Sequence, residues 1–174
     1  VLYPNGGEKL SPGSSQTITW DNAGITSNQT VEYSLNNGGS WTTISNAVPA
    51  ATTRLVWTVP AGANTSTALV RISSGAVTDN SDATFTIIGT PPSLLVGPAG
   101  CTGGEVSLSW AAVTNATHYD IYRLDAPTGT FVLFASDITA TTYTATGLTP
   151  GSTIWFAHVA KNNTTGTISE RSIA

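Results

Sequence analysis

The groups best suited to chemistry in this sequence are two histidines, one cysteine and ten acidic residues. Nucleophilic catalysis requires a serine or cysteine beside an oriented base, and no Gly-x-Ser-x-Gly turn is present. His118 follows a turn-like Asn-Ala-Thr stretch, so we expect it to be exposed. His158 has the parity of Ile154 and Phe156, which predicts either a satisfied, partly buried ring or a local bulge. We therefore expect no catalytic residue and no enzyme.

The single cysteine, Cys101, excludes an internal disulfide and a metal site built from several cysteines. It lies in the glycine-rich stretch Ala-Gly-Cys-Thr-Gly-Gly, without a cationic neighbour that would activate the thiolate. We expect it to be a plain free thiol.

Oxygen ligands are concentrated in one turn, Asp79-Asn80-Ser81-Asp82. Calcium takes about six to eight oxygen ligands, and this spacing matches no familiar calcium loop. Hydrogen bonds within an Asx-turn account for the cluster equally well. Two interpretations stay open, a plain turn or a calcium site with Asp79 and Asp82 as ligands. Calcium is the one candidate cofactor.

Composition excludes several classes of partner. Charged residues make up 9% of the chain, against roughly 25% in an ordinary soluble domain, and the net charge is −4. Six basic residues are too few to neutralise a phosphate track, so we expect no nucleic-acid partner. No apolar run approaches about 18 residues, so we expect no membrane insertion.

Apolar residues alternate with polar ones in many short segments, and no segment has the periodicity of an amphipathic helix. In the first half these sets are Ile18 with Trp20; Val31, Tyr33 and Leu35; Leu55, Trp57 and Val59; Ala68, Val70 and Ile72; and Phe85 with Ile87. In the second half they are Val106, Leu108 and Trp110; Tyr119 with Ile121; and residues 131–134, 142–146 and 154–160. The pattern predicts an all-β chain of two tandem β-sandwich domains, with Trp20, Trp57 and Trp110 in their cores.

The sequence Gly-Thr-Pro-Pro at positions 89–92 interrupts this pattern. Two adjacent prolines remove backbone donors and stiffen the chain, as in a linker. We predict a first domain over residues 1–89, a linker over 90–92 and a second domain over 93–174.

The second half resembles a fibronectin type III domain over most of its length. The resemblance rests on Leu-Ser-Trp at 108–110, Tyr-Asp-Ile-Tyr-Arg at 119–123, Gly-Leu-Thr-Pro-Gly-Ser at 147–152 and Ala-Lys-Asn at 160–162. One position departs from the family: Ile154 stands where the family usually has a corner tyrosine. The hydrogen bond from that hydroxyl to the backbone is therefore absent, a loss of about 1 kcal/mol.

The first half is similar to an immunoglobulin-like module that opens with Pro-Asn-Gly-Gly-Glu, here at positions 4–8. Such modules continue with Ile-Thr-Trp, here 18–20, and close with Ser-Asp and a Phe-x-Ile strand, here Ser81, Asp82, Phe85 and Ile87. They occur in modular secreted bacterial proteins, beside fibronectin type III repeats and after proteases or glycan-degrading enzymes. The segment 34–41 also resembles the Asp-box hairpin of sialidases, with Asn36 in place of the aspartate. We expect a folding device there, since Asn36, Asn37 and two glycines suit a tight turn.

Trp155 and Tyr122 are the candidate binding residues. In the fibronectin type III arrangement their strands are neighbours, and both side chains take the outward parity. An exposed indole beside a phenol suits stacking on a sugar ring or packing against a partner domain. A cross-strand pair that only stabilises the sheet is the alternative.

These observations predict a non-catalytic accessory, spacer or binding tandem of a larger secreted or cell-surface bacterial protein, C-terminal to a protease or glycan-degrading enzyme. Its partners would be the other domains of the parent protein or a polysaccharide or cell-surface ligand. The alternative is an adhesive or structural repeat of a stalk, pilus or extracellular filament that forms by self-association.

Overall fold

A computed structural model describes residues 1–97 and 103–172, and these residues contain fifteen strands and no helix. No helix long and apolar enough to span a membrane is found in this part of the chain. The contacts divide the chain into two compact units, Val1–Ile88 and Gly89–Ala174. The all-β fold class predicted from the sequence is therefore confirmed.

The first unit contains two sheets. The small sheet pairs β2 (Ser15–Thr19) with β5 (Arg54–Thr58). The strands of the large sheet are β1 (Lys9–Leu10), β3 (Gln29–Ser34), β4 (Thr42–Val48), β6 (Thr65–Ser74), β7 (Val77–Asn80) and β8 (Phe85–Ile87). Their order is β1-β8-β6-β3-β4, and β7 also pairs with β6.

The core of the first unit lies where the inward residues of both sheets meet. Ile18 and Phe85 are fully buried, and Trp20 and Trp57 are nearly so. The Trp57 ring lies 5.3 Å from Tyr33 and meets Phe85 edge-on at 6.5 Å, measured between ring centroids. The predicted core positions of Trp20 and Trp57 are confirmed.

The second unit also contains two sheets. One has the order β13-β10-β9, formed by β9 (Leu95–Val96), β10 (Val106–Ser109) and β13 (Thr142–Ala145). The other has the order β12-β11-β14-β15, formed by β11 (His118–Leu124), β12 (Val132–Ile138), β14 (Trp155–Asn162) and β15 (Thr167–Arg171). Leu108, Trp110, Tyr119 and Ile121 are buried in its core, as the alternation predicts.

The described residues include strands that the periodicity did not indicate. β7 is exposed at every position and β4 at most positions. Such strands are held by backbone pairing at a sheet margin, which leaves no alternation of apolar side chains in the sequence. Cys101 lies outside the described residues.

Candidate functional site

The two candidate calcium ligands have different partners. Asp79 pairs with the N-terminal ammonium group of Val1. Asp82 accepts a hydrogen bond from the Asn5 side-chain amide at 2.8 Å, and its backbone N–H donates to the Asn5 amide oxygen at 2.8 Å. Among the described residues, no group of three or more acidic, histidine or cysteine side chains is placed to hold a metal ion. Calcium at Asp79 and Asp82 stays a prediction of the sequence.

Asp82 instead belongs to a clamp between the two ends of the first unit. The backbone N–H groups of Asn5 and Gly6 both donate to the Glu8 carboxylate at 2.8 Å. Ser81 Oγ donates to the carbonyl of Pro4 at 2.8 Å. The opening and closing sequences of the first half, 77 positions apart at Asn5 and Asp82, therefore bind each other. These hydrogen bonds give the opening sequence and the closing sequence a structural role.

The hairpin between β3 and β4 is also held by its own side chains. Asn36 Oδ1 accepts hydrogen bonds from the Ser34 hydroxyl and from the Ser40 N–H, each at 2.9 Å. Asn37 adopts a φ of 54°, in the left-handed region that asparagine tolerates. The Arg71 guanidinium lies 4.1 Å from the Trp41 ring centroid and binds Glu32. These contacts hold the hairpin together, and its resemblance to the Asp-box stays a prediction.

Trp155 and Tyr122 lie on one face of the four-stranded sheet. Tyr122 pairs with Ala157, and Leu124 pairs with Trp155, so the two aromatic residues are diagonal neighbours. Both are half-buried, and no ring-to-ring contact joins them within the described ranges. Their role in binding therefore stays a prediction.

The same face carries apolar groups that sequence reasoning did not include. Leu133 pairs with Tyr122 and is 56% exposed. The Arg171 guanidinium lies 4.3 Å from the ring centroid of Phe131. At the other end of the sheet, Lys161 binds Asp137, which raises the pKa of Lys161 and lowers the pKa of Asp137 through their hydrogen bond. We call Leu133, Tyr122, Trp155, Phe131 and Arg171 the outer face.

His158 is fully buried, so the expectation of a satisfied, partly buried ring was wrong. Its ring lies 5.1 Å from Trp110 and 5.8 Å from Tyr119, between centroids. Neither ring nitrogen has a hydrogen-bond partner in the described part of the chain, and Trp110 Nε1 also lacks one. Burial lowers the pKa of His158 from 6.5 to about 4 because the core disfavours the charged ring. His118 is half-buried, and its Nδ1 lies 2.9 Å from Thr117 Oγ1.

The second unit has a recess of about 400 Å³ between the start of β10 and the turn that precedes β14. Val96, Val106, Leu148, Ile154 and Phe156 supply apolar walls. The turn itself is closed by Ser152, whose hydroxyl donates to the Thr149 carbonyl at 2.6 Å. Sequence reasoning noted Ile154 but did not foresee this space, because several separate segments enclose it.

Comparison with known proteins supports the fold and gives one sequence relative. No family model matches the chain. A stretch of 60 residues, 34% of this chain, is 40% identical to part of an amylopullulanase from Thermoanaerobacter thermohydrosulfuricus. That stretch is 4% of the amylopullulanase, so the chain spans a small fraction of this relative.

Among the solved structures, the fold class is supported by a pair of fibronectin type III domains. A segment of two fibronectin type III domains from chicken tenascin aligns with a TM-score of 0.56 and 14% identity, over 92% of this chain and 90% of that one. A bacterial Fn3-like protein from Clostridium thermocellum is 27% identical over 49% of this chain and 86% of its own, with a TM-score of 0.44. The chain therefore has the fold of fibronectin type III and immunoglobulin-like sandwiches. The specific immunoglobulin-like module that the first half resembles stays a prediction.

Proposed function

We propose that this chain is a non-catalytic accessory part of a larger, extracellular, glycan-degrading bacterial protein. The observation that carries the proposal is the 60-residue match, at 40% identity, to an amylopullulanase. Fibronectin type III and immunoglobulin-like sandwiches are typically non-catalytic, and function has to be argued from sites on the fold. In this role the tandem spaces the enzyme from its substrate or docks the enzyme to it.

The outer face is the proposed contact surface for docking. It places Trp155 and Tyr122 on adjacent strands, with Leu133 exposed beside them. Aromatic side chains with one apolar and one polar end suit contacts with partly hydrated surfaces such as sugars. The low charge of the chain limits the cost of desolvation on contact.

The accessory role is tested in the full-length parent protein by deleting the segment that corresponds to residues 1–174. We expect hydrolysis of soluble substrate to stay unchanged and hydrolysis of insoluble polysaccharide to fall. Equal loss on both substrates would assign the segment to the catalytic machinery. Unchanged activity on both would contradict a docking role.

An adhesive or structural repeat is the second candidate, and one observation favours it. β12 lies at the edge of its sheet and pairs only with β11 among the described strands. Val132 and Leu133 on this edge are each 56% exposed, and an exposed apolar edge can pair with another chain. Light scattering after size-exclusion chromatography separates the two functions: a persistent polymer supports the repeat, and a monomer supports the accessory role.

A further inference from the structure

We propose that the recess in the second unit binds a small aromatic ammonium compound, one planar ring that carries a positively charged amine. The site is independent of the outer face and of the accessory role. Its volume of about 400 Å³ lies within the range of about 300 to 1,000 Å³ that is usual for small-molecule pockets.

The apolar walls of the recess favour a ligand with an apolar ring. Of its apolar lining residues, Leu148 and Phe156 are buried, Val106 and Ile154 are half-buried, and Val96 is 62% exposed. Apolar walls favour an apolar ligand, because contact with it removes their surface from water. A rigid ring loses less conformational freedom on binding than a flexible chain with the same apolar area, and this difference decides affinity in an open site.

Glu105 selects the charge of the ligand. It is the one charged side chain among the described residues that line the recess, and it is exposed at the margin. An ammonium group on the ring can therefore meet the carboxylate while both stay hydrated. Exposed pairs of this kind are weak, which corresponds to about a two- to fivefold effect on affinity.

Two residues that line the recess, Gly104 and Leu148, are in close backbone contact. The N–H of Leu148 donates to the carbonyl of Gly104 at 2.9 Å. A Cβ at Gly104 would lie 2.3 Å from the Leu148 carbonyl oxygen, so the two backbones approach as closely as glycine permits. This contact joins the backbone that leads into β10 to the turn that precedes β14.

The test is a titration of the full chain, followed by NMR, with four probes at neutral pH. Tyramine has the ring and the ammonium, 4-ethylphenol lacks the charge, 3-(4-hydroxyphenyl)propionate reverses it, and hexylamine lacks the ring. We expect tyramine to bind about two- to fivefold more tightly than 4-ethylphenol and more tightly still than the other two. Failure of tyramine to bind, or equal binding of hexylamine or the propionate, would overturn the proposal.

Variants locate the binding in the recess. Ile154→Tyr fills the space with a ring and should abolish tyramine binding, and Val106→Phe provides a second filling variant if the first does not fold. Glu105→Gln should remove the advantage of tyramine over 4-ethylphenol. Ile168→Tyr, at a 49% exposed position on β15, is the matched control and should bind as the parent does. Undiminished binding by both filling variants would place the ligand elsewhere and contradict the assignment.

Discussion

At the scale of single residues, the buried imidazole of His158 destabilises the second unit when it is protonated. The imidazole of His158 packs against the rings of Trp110 and Tyr119 in the core of the second unit. Asp120 and Lys161 bind each other from outward positions of the sheet and offer no charge to the ring. A buried ring without partners is stable in its neutral form, so protonation must oppose folding.

The stability of the second unit should therefore depend on pH through His158. The pKa of this histidine is about 4 in the folded state and 6.5 ordinarily, so the unfolded chain binds the proton more tightly. Stability is intact above pH 6.5 and falls as the pH decreases toward 4. Linkage gives a loss of about 2 kcal/mol between pH 7 and pH 5.

Urea unfolding of residues 89–174 at these two pH values measures the effect. His158→Leu should remove most of the difference, because leucine fills the site without a titratable group. His118→Asn, which removes the second histidine of the chain, is the matched control and should keep the pH dependence of the parent. Parent-like pH dependence in His158→Leu would show that another group is responsible.

Trp57 is a large aromatic residue in the core of the first unit. It is 4% exposed and contacts both Tyr33 and Phe85, so truncation leaves a cavity between the two sheets. We expect Trp57→Ala to lower the free energy of unfolding by about 3 to 5 kcal/mol. Thermal melting followed by circular dichroism tests this, with Trp41→Ala as a half-buried tryptophan for comparison. A melting temperature within a few degrees of the parent would mean that Trp57 contributes little to the core.

At the scale of elements, close backbone approach determines where the second unit tolerates change. Gly104 and Gly147 both have a positive φ, 62° and 71°. A Cβ at Gly147 would meet nothing within 4 Å, whereas one at Gly104 would strike the carbonyl of Leu148. The two glycines thus separate the cost of a left-handed backbone from the cost of a steric clash.

We expect Gly147→Ala to lower the free energy of unfolding by about 1 to 2 kcal/mol, the usual penalty for a residue with a side chain in the left-handed region. Gly104→Ala should cost at least about 1 kcal/mol more, since the clash also disrupts the hydrogen bond from Leu148. Denaturant unfolding of both variants gives the comparison. Equal losses would show that the backbone at Gly104 moves aside freely.

Periodicity predicted the strands that bury one face and missed those that do not. The alternation of Leu55, Trp57 and Val59 corresponds to β5 and the residue beyond it, whereas the exposed β7 left no apolar pattern. Parity also placed His158 inward, but sequence alone carries no information on hydrogen-bond partners from other strands. The contact between Asn5 and Asp82 could not be predicted either, because local sequence does not encode contacts between residues far apart in the chain.

At the scale of the whole chain, the contacts divide the two units next to the predicted linker of residues 90–92. The contacts separate at Ile88 and Gly89, so residues 89–92 begin the second unit. A Cβ at Gly89 would lie 2.6 Å from Val113 Cγ1, and Val113 is 7% exposed. Gly89, which the sequence assigned to the end of the first domain, therefore packs against Val113 of the second unit.

Fragments test whether each unit folds alone and where the second begins. We expect fragments 1–88 and 89–174 to melt cooperatively, because each has its own pair of sheets and its own buried cluster. Fragment 93–174 lacks Gly89 and uncovers Val113, so it should be less stable than 89–174 by about 1 kcal/mol. Equal melting temperatures for these two fragments would show that residues 89–92 add nothing to the stability of the second unit, as expected of a linker. An unfolded fragment 1–88 or 89–174 would show that each unit requires the other.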